Sequence, residues 1–444
     1  MTQAASPDPN SPSDSHRSIE ALQTSGQVAG GRTAVSGRSS SWEGSPAGSV
    51  ANSTTEPIPC DVLIRGGTLI DPSQLLHEVG DVAIAGERII AVSNCLDRYQ
   101  PRHVIDARGL LVAPGLIDLH VHAYTHSPFG LDADSLCVAG GVTTMLDAGT
   151  AGSYNFDAFR RDGINRARTR VLALVNLSCI GLVAANLGEL LDPRYADPDG
   201  VVATIGRHPD VAVGVKIRAG THIIGGGEQG WANLRAALSA ARASNTWLMV
   251  HIGECPMSIP ELVNELAPGD CITHCFKAGS TRITDDHAKI FPAVREAAER
   301  GVLFDVGHGY GSFHWDVAQA ALDDGFEPTT ISTDLHTMNL HGPVYDMPTT
   351  MSKFLSLGVP LEKVIEMSTT RPARILKRDG QIGTLRVGSI ADIAILEQHS
   401  GRFLLTDSYR QTRRCDRLLT AATTIRSGEI IPGGGGLRMR HLAD

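Results

Sequence analysis

The chain carries two histidines, one residue apart, at the end of the apolar run Gly115-Leu-Ile-Asp-Leu-His-Val-His122. Alternate side chains of a β-strand lie on the same face, so His120 and His122 point in one direction. Two imidazoles on one face can bind one metal ion. A pair of hydrogen-bonded histidines near a surface turn is the structural alternative, and the rest of the chain has to decide between them.

Further ionisable residues end other apolar, β-rich runs. His251, His274 and Asp334 each lie at such an end. Taken singly, a histidine there is a structural hydrogen-bonding residue, and an aspartate is a helix N-cap. Their convergence on one rim, together with the His-x-His pair, favours a metal site.

Lys216 lies inside the apolar strand Val211-Ala-Val-Gly-Val-Lys-Ile217. Burying an unpaired ammonium group is costly, so we expect the pKa of this amine to be lowered. A neutral amine can form a Schiff base with a carbonyl substrate, or it can add carbon dioxide to give a carbamate that bridges two cations. A salt bridge with a rim carboxylate is the plain alternative. An aldolase would not need the histidines, which favours the carbamate.

For these candidate side chains to form one site, the fold must bring the ends of distant strands together. Amphipathic helical stretches at residues 230–244, 285–300 and 314–324 have apolar residues three and four positions apart. They alternate with eight apolar, β-rich runs, at residues 111–122, 142–147, 170–177, 211–217, 247–251, 271–276, 302–306 and 329–334.

This alternation predicts an α/β fold, a parallel (β/α)8 TIM barrel over residues 111–376, with its chemistry at the C-terminal ends of the strands. An open doubly wound sheet is the alternative, but we find no good glycine-rich phosphate loop after an early strand.

Both flanks of the barrel contain β-branched runs broken by turn residues such as Gly-Gly and Asp-Pro. We predict that residues 59–110 and 377–435 form one small β-sandwich. Residues 1–58 are rich in Ser, Gly and Pro and lack periodicity, which predicts a disordered tail.

Composition limits the partners of this protein. Charged residues make up 20% of the 444 residues, and the net charge is −9 without a Lys/Arg block, which argues against nucleic-acid and anionic-membrane surfaces. No apolar run approaches the roughly 18 residues that span a bilayer. The eight cysteines are scattered, as expected of reduced thiols in a cytoplasmic enzyme. We expect a small-molecule substrate and a homo-oligomer.

Six side chains therefore stand out at the strand ends: His120, His122, Lys216, His251, His274 and Asp334. Together with the run Gly115-Leu-Ile-Asp-Leu-His-Val-His122, this set resembles the amidohydrolase superfamily that has a carboxylated lysine. Other segments resemble its deacetylase branch, namely Gly214-Val-Lys-Ile-Arg218, Val306-Gly-His-Gly-Tyr-Gly-Ser-Phe313, Ser332-Thr-Asp-Leu-His336 and Tyr345-Asp-Met-Pro-Thr-Thr-Met351. Two later segments are typical of the superfamily, Thr369-Thr-Arg-Pro-Ala373 and Gly383-Thr-Leu-Arg-Val-Gly-Ser-Ile-Ala-Asp-Ile-Ala394.

The resemblance implies two divalent ions, expected to be zinc, and a mechanism. The implied ligands are His120, His122 and Asp334 for one ion, His251 and His274 for the other, and carboxylated Lys216 as the bridge. A bridging hydroxide would attack the acyl carbon, while Asp334 takes its proton and returns it to the leaving group. We predict hydrolysis of an acyl C–N or C–O bond, as in deacetylation of a small N- or O-acylated amino or hydroxy acid.

Two further residues are candidates for substrate binding. Arg218 lies two residues beyond Lys216 and can bind a substrate carboxylate with two hydrogen bonds, although a rim salt bridge explains it equally well. His308 lies in a Gly-His-Gly turn after the predicted strand at residues 302–306, where it can contact substrate or support the site.

Other functions fit parts of this pattern. A cyclic-amide hydrolase of the dihydroorotase or hydantoinase type uses the same ligand set, so only substrate profiling separates it from a deacetylase. A catalytically silent barrel is opposed by the intact candidate ligands. A Schiff-base lyase would show borohydride trapping at Lys216.

Overall fold

The structure is a computed structural model that describes residues 56–431. The predicted tail therefore lies outside the described residues up to residue 55, and its last residue, Ile58, already begins the first strand. Among the described residues, no helix is long and apolar enough to cross a membrane.

The described part of the chain contains fifteen strands, eleven α-helices and four short 3-10 helices. The strands are β1 Ile58–Asp71, β2 Leu76–Ala85, β3 Arg88–Ser93, β4 Tyr99–Asp106, β5 Leu111–Pro114, β6 Leu116–Val121, β7 Val142–Asp147, β8 Arg170–Asn176, β9 Ala212–Arg218, β10 Trp247–His251, β11 Cys271–Thr273, β12 Leu303–Asp305, β13 Ile393–Thr406, β14 Thr412–Arg426 and β15 Glu429–Ile431. The helices are α1 Ala133–Gly140, α2 Phe156–Asp162, α3 Pro198–Arg207, α4 Thr221–Ile224, α5 Gly227–Ala243, α6 Ile259–Glu265, α7 Pro292–Glu299, α8 Trp315–Asp323, α9 Met347–Ser356, α10 Leu361–Ser368 and α11 Thr370–Ile375.

Strands β6 to β12 form a parallel sheet in chain order. Residues 329–335 complete the barrel through two parallel bridges, from Thr330 to Asp305 and from Leu335 to Val121. Strands β7 and β8 are buried along nearly their whole length, as expected of a parallel sheet covered by helices. The α/β barrel fold is therefore confirmed.

The remaining strands form one mixed sheet from both flanks of the barrel. Its order is β15-β14-β13-β5-β1-β2-β3, with β4 beside β1. Strand β5 joins the flanks, because it pairs in parallel with β1 and antiparallel with β13. The sheet packs around a core of its own that includes Val62, Ile64, Val82, Ile393 and Ile425.

The predicted first barrel strand, residues 111–122, is two strands in the structure. Leu111–Pro114 belongs to the mixed sheet, and the barrel begins at Leu116. The break falls at Gly115, where a Cβ atom would lie 2.2 Å from Thr143 Oγ1, so only glycine lets the chain pass here without a shift. The barrel boundary predicted at residue 111 is therefore too early.

Helices α6 and α7 begin where proline or a capping side chain sets their start. Helix α7 begins at Pro292, not at residue 285, because proline suits the first helical turn. Helix α6 begins after Ser258, which forms a capping box with Glu261. These helices cover the outside of the barrel and leave the strand ends free to carry the site.

Candidate active site

The structure brings the predicted side chains together at the C-terminal ends of the barrel strands. A cavity of about 250 Å³ opens there, and its walls include His120, His122, Lys216, Arg218, His251 and Asp334. His274 lies directly behind His251, with 2.7 Å between His274 Nε2 and His251 Nδ1. Residues that are far apart in the sequence therefore share one small volume.

Left-handed backbone conformations aim two of these side chains. His274 has a φ of 73° and Asp334 has a φ of 50°, values that non-glycine residues adopt at an energetic cost. The Asp334 N–H donates to the carbonyl of His120 (2.6 Å), and Asn339 Nδ2 donates to the Asp334 carbonyl (2.7 Å). The turn at His274 also explains why the strand predicted at residues 271–276 ends at Thr273, whereas the strand predicted at residues 329–334 is reduced to isolated bridges.

A hydrogen-bonded relay orients His122. Its Nδ1 lies 2.7 Å from Thr150 Oγ1, and that hydroxyl donates to Asp147 Oδ2, also at 2.7 Å. Because the hydroxyl proton goes to the carboxylate, Nδ1 carries the proton that Thr150 accepts. The lone pair of His122 is therefore on Nε2, which faces the cavity.

His120 has a relay of the same chemistry. Its Nδ1 lies 2.8 Å from Thr273 Oγ1, which donates to Asp305 Oδ2 at 2.8 Å. Asp305 also accepts from the hydroxyls of Thr330 and Ser332, each at 2.6 Å. The carboxylate thus accepts three hydroxyl hydrogen bonds, and the relay again places the Nε2 lone pair of His120 on the side of the cavity.

The Nε2 atoms of His120 and His122 both lie close to Asp334. Asp334 Oδ1 lies 3.4 Å from His120 Nε2 and 3.2 Å from His122 Nε2. Burial lowers the pKa of His122 to about 4 and that of His120 well below its usual value. Both rings are therefore neutral at physiological pH. Each of the three residues offers a ligand atom within 4.8 Å of the others, which fits one metal ion.

His274 and His251 form the second histidine pair. His274 Nδ1 donates to the Gly307 carbonyl at 2.6 Å, so its lone pair is also on Nε2, facing His251 Nδ1. Burial lowers the pKa of His274 to about 4 and that of His251 well below its usual value. These neutral, oriented rings have the chemistry of metal ligands.

Lys216 is poorly partnered for a buried lysine. Its side chain is almost completely buried, and its Nζ lies 3.2 Å from His120 Nε2 and 3.4 Å from Met249 Sδ. Burial lowers the pKa of the amine to about 8, and the nearby Asp334 carboxylate partly opposes this shift. Gly149 makes room for this side chain, since a Cβ there would lie 2.5 Å from Lys216 Cβ. The prediction of a lowered pKa is confirmed.

Arg218 both lines the cavity and makes a salt bridge. Its Nη1 lies 3.4 Å from Glu189 Oε2, a long contact that leaves most of its five N–H donors available. Glu189 is fully buried, and its other oxygen, Oε1, has no hydrogen-bond partner among residues 56–431. The two alternatives raised for Arg218 are thus compatible.

The structure does not bring His308 into the cavity. Its ring is buried, stacks on Phe313 with centroids 4.7 Å apart, and has its Nε2 2.6 Å from Lys353 Nζ. The flanking Gly307 and Gly309 have φ values of 46° and 57°, and this double turn carries the ring away from the metal ligands. Tyr310 and Ser312 line the cavity in its place.

The relay residues were not anticipated from the sequence. Thr150, Thr273, Asp147 and Asp305 contact the histidines or their partners, yet only the aspartates gave a usable signal. Each is an acidic residue that ends an apolar strand, in β7 and in β12. The same reasoning that selected Asp334 applies to them.

Comparison with known proteins agrees with this geometry. The model of the amidohydrolase family matches residues 111–431. A deacetylase of Agrobacterium fabrum is 37% identical over 79% of this chain and 86% of its own length. A deacetylase of Enterococcus faecalis is 34% identical over 83% of this chain and 98% of its own.

Solved structures give a similar picture. A crystal structure described as an adenine deaminase has a TM-score of 0.78 and 34% identity, covering 84% of this chain and 99% of its own. One described as a dihydroorotase has a TM-score of 0.76 and 33% identity, covering 83% and 98%. As its motifs predicted, the chain belongs to the amidohydrolase family and is a hydrolase.

Proposed function

We propose that this protein is a binuclear metal-dependent deacylase that removes an acetyl or similar group from a small N- or O-acylated amino or hydroxy acid. The observation that carries the proposal is the pair of histidine relays, which leave the Nε2 lone pairs of His120 and His122 facing Asp334 Oδ1. The names of the related deacetylases from Agrobacterium fabrum and Enterococcus faecalis support the same reaction class.

The donor set fits two divalent ions. His120, His122 and Asp334 would hold one, and His251 and His274 would hold the second. Lys216 would bridge them as a carbamate, because its buried amine has a lowered pKa and only weak partners. Imidazole and carboxylate oxygen ligands suit zinc. When bound, such ions supply a water of lowered pKa and polarise an acyl carbonyl.

Asp334 is the group that moves protons. Its Oδ1 faces both imidazole Nε2 atoms, while Oδ2 lies towards Gly309, where a Cβ atom would be only 2.5 Å away. A glycine at this position keeps the second carboxylate oxygen accessible. We assign Asp334 to take a proton from the attacking water and to return it to the departing amine or alcohol.

Substrate size and charge follow from the cavity walls. A volume of about 250 Å³ admits a small molecule. Arg218 supplies the charged donor on this wall and would bind the carboxylate of the acylated acid. A cytoplasmic location and a homo-oligomer remain predictions.

The decisive experiment combines a substrate panel with one variant. Metal-replete protein is assayed against N- and O-acetylated amino and hydroxy acids, and against dihydroorotate, hydantoins and adenine. We expect turnover of an acetylated acid, and Asp334→Asn should reduce kcat at least about 100-fold while metal remains bound. Asp416→Asn, at an exposed aspartate of β14, is the control and should behave as wild type.

Two results would contradict the proposal. Turnover confined to the cyclic amides would favour the dihydroorotase-type alternative, which the solved dihydroorotase with 33% identity makes a specific competitor. Near-normal kcat in Asp334→Asn would remove its role as proton shuttle.

A further inference from the structure

A short loop after strand β12, residues 309–313, forms part of the cavity wall through Tyr310, Gly311 and Ser312. The turn between strands β13 and β14 of the mixed sheet, residues 407–411, contacts this loop. We infer that Ser408 in this turn is a positioning residue that holds the loop and so sets substrate affinity, an inference that rests on the proposed function.

Ser408 contacts both ends of the loop. At the first end, its Oγ lies 2.9 Å from the Gly309 carbonyl and 3.1 Å from the His308 carbonyl. At the second end, its backbone N–H donates to the Phe313 carbonyl at 3.0 Å, and the Phe313 N–H donates to Ser408 Oγ at 3.3 Å. One serine therefore closes the base of a loop whose three central residues face the cavity.

The turn itself is held firmly in place. Asp407 accepts from the backbone N–H groups of Tyr409 (2.8 Å) and Gln411 (2.9 Å), and its second oxygen accepts from the Trp315 N–H (3.1 Å). Trp315 Nε1 donates to the Gln411 carbonyl at 3.1 Å. Ser408 thus projects from a rigid turn, which is what a positioning contact requires.

His308, which precedes the loop, is also held by Lys353. Lys353 Nζ lies 2.6 Å from His308 Nε2 and donates to the carbonyls of Pro343 and Thr406, each at 2.8 Å. Thr406 ends strand β13, so Lys353 ties His308 to the same hairpin that carries Ser408. The buried His308, first considered for substrate contact, belongs to this support.

The first pair of candidate metal ligands, His120 and His122, is oriented from outside the hairpin. The first ligand pair is oriented by Thr150 and Thr273, which make no hydrogen bond to the hairpin among those found in residues 56–431. Tyr310 lines the cavity and has 47% of its surface exposed, so a substrate in the cavity can contact it. Loss of the Ser408 hydroxyl should therefore weaken substrate binding and leave His120 and His122 in place.

The test uses Ser408→Ala in the full-length, metal-replete protein. We expect KM for the acylated acid to rise about three- to tenfold, the effect of one lost hydrogen bond, with kcat within about twofold and metal content unchanged. Ser408→Thr keeps the hydroxyl and should restore KM. Ser400→Ala, at an exposed serine of strand β13 in the same hairpin, is the matched control.

Hydrogen exchange of the peptide that contains residues 309–313 gives a second readout that needs no substrate. Exchange there should be faster in Ser408→Ala than in wild type and in Ser400→Ala. Unchanged exchange would overturn the positioning role, whether or not an acylated substrate is found. Faster exchange with an unchanged KM would overturn the effect on affinity, and a loss of kcat together with metal would place Ser408 in the metal centre instead.

Discussion

Replacing Thr273 with valine tests whether the relay behind His120 fixes the metal-binding form of the imidazole. Valine has nearly the same shape as threonine, so the substitution removes the hydroxyl without opening a cavity. Asp305 keeps its hydrogen bonds from Thr330 and Ser332, each at 2.6 Å. The barrel should therefore fold as before, and the effect should be confined to the ring.

The expected magnitude follows from the proton on that ring. Without Thr273, His120 Nδ1 is a buried donor lacking its 2.8 Å partner, which costs about 1–3 kcal/mol. The proton can instead move to Nε2, where Asp334 Oδ1 accepts at 3.4 Å, but that tautomer has no lone pair for a metal. At about 1.4 kcal/mol per factor of ten, metal affinity should fall about 10- to 100-fold.

The assay is a competitive titration of zinc against a chelator, with thermal unfolding of the metal-free protein in parallel. Thr143→Val is the matched control, because Thr143 is equally buried but its hydroxyl has no hydrogen-bond partner among the described residues. We expect this control to retain wild-type zinc affinity. Equal zinc affinity in Thr273→Val, Thr143→Val and wild type would refute the relay argument.

Two further predictions concern the buried lysines. Lys216→Ala should reduce turnover at least about 100-fold, with partial recovery by short-chain carboxylic acids that replace the carbamate oxygens; rates unaffected by these acids at unchanged metal content would contradict the bridge. Burial lowers the pKa of Lys353 in the folded protein to about 7, from 10.5. Between these two pH values the Lys353 amine is protonated in the unfolded chain and largely neutral in the folded one, so the free energy of unfolding rises with pH. The free energy of unfolding should rise by up to about 1.4 kcal/mol per pH unit more in wild type than in Lys353→Met, and parallel curves from denaturant titrations at pH 7, 8 and 9 would contradict this.

The sequence was sufficient for the parts of the site that depend on topology alone. A parallel barrel places the C-terminal ends of all its strands at one face, so a polar residue near the end of a predicted strand is expected at that face. His120, His251 and Lys216 follow this rule, and the structure places all three in the cavity wall. The fold and the set of converging side chains could therefore be predicted together.

Features that depend on packing between distant segments could not be predicted. Thr150 and Thr273 are ordinary residues for a strand or its edge, and their role appears only when a histidine from another strand lies beside them. The direction of His308 depends on the left-handed turns at Gly307 and Gly309. Ser408 reaches the site from another sheet, and no local periodicity encodes where a hairpin docks.

The barrel has a seam, and the candidate metal centre spans it. Residues 329–335 join their neighbours through isolated bridges, whereas the other barrel strands pair along continuous ladders. His120 and His122 stand on one side of this seam, and Asp334 stands on the other. A cation shared by these residues would act as a clasp between the start and the end of the barrel. Holding the ion would then resist opening of the barrel at its weakest junction, which couples the integrity of the scaffold to the presence of its cofactor.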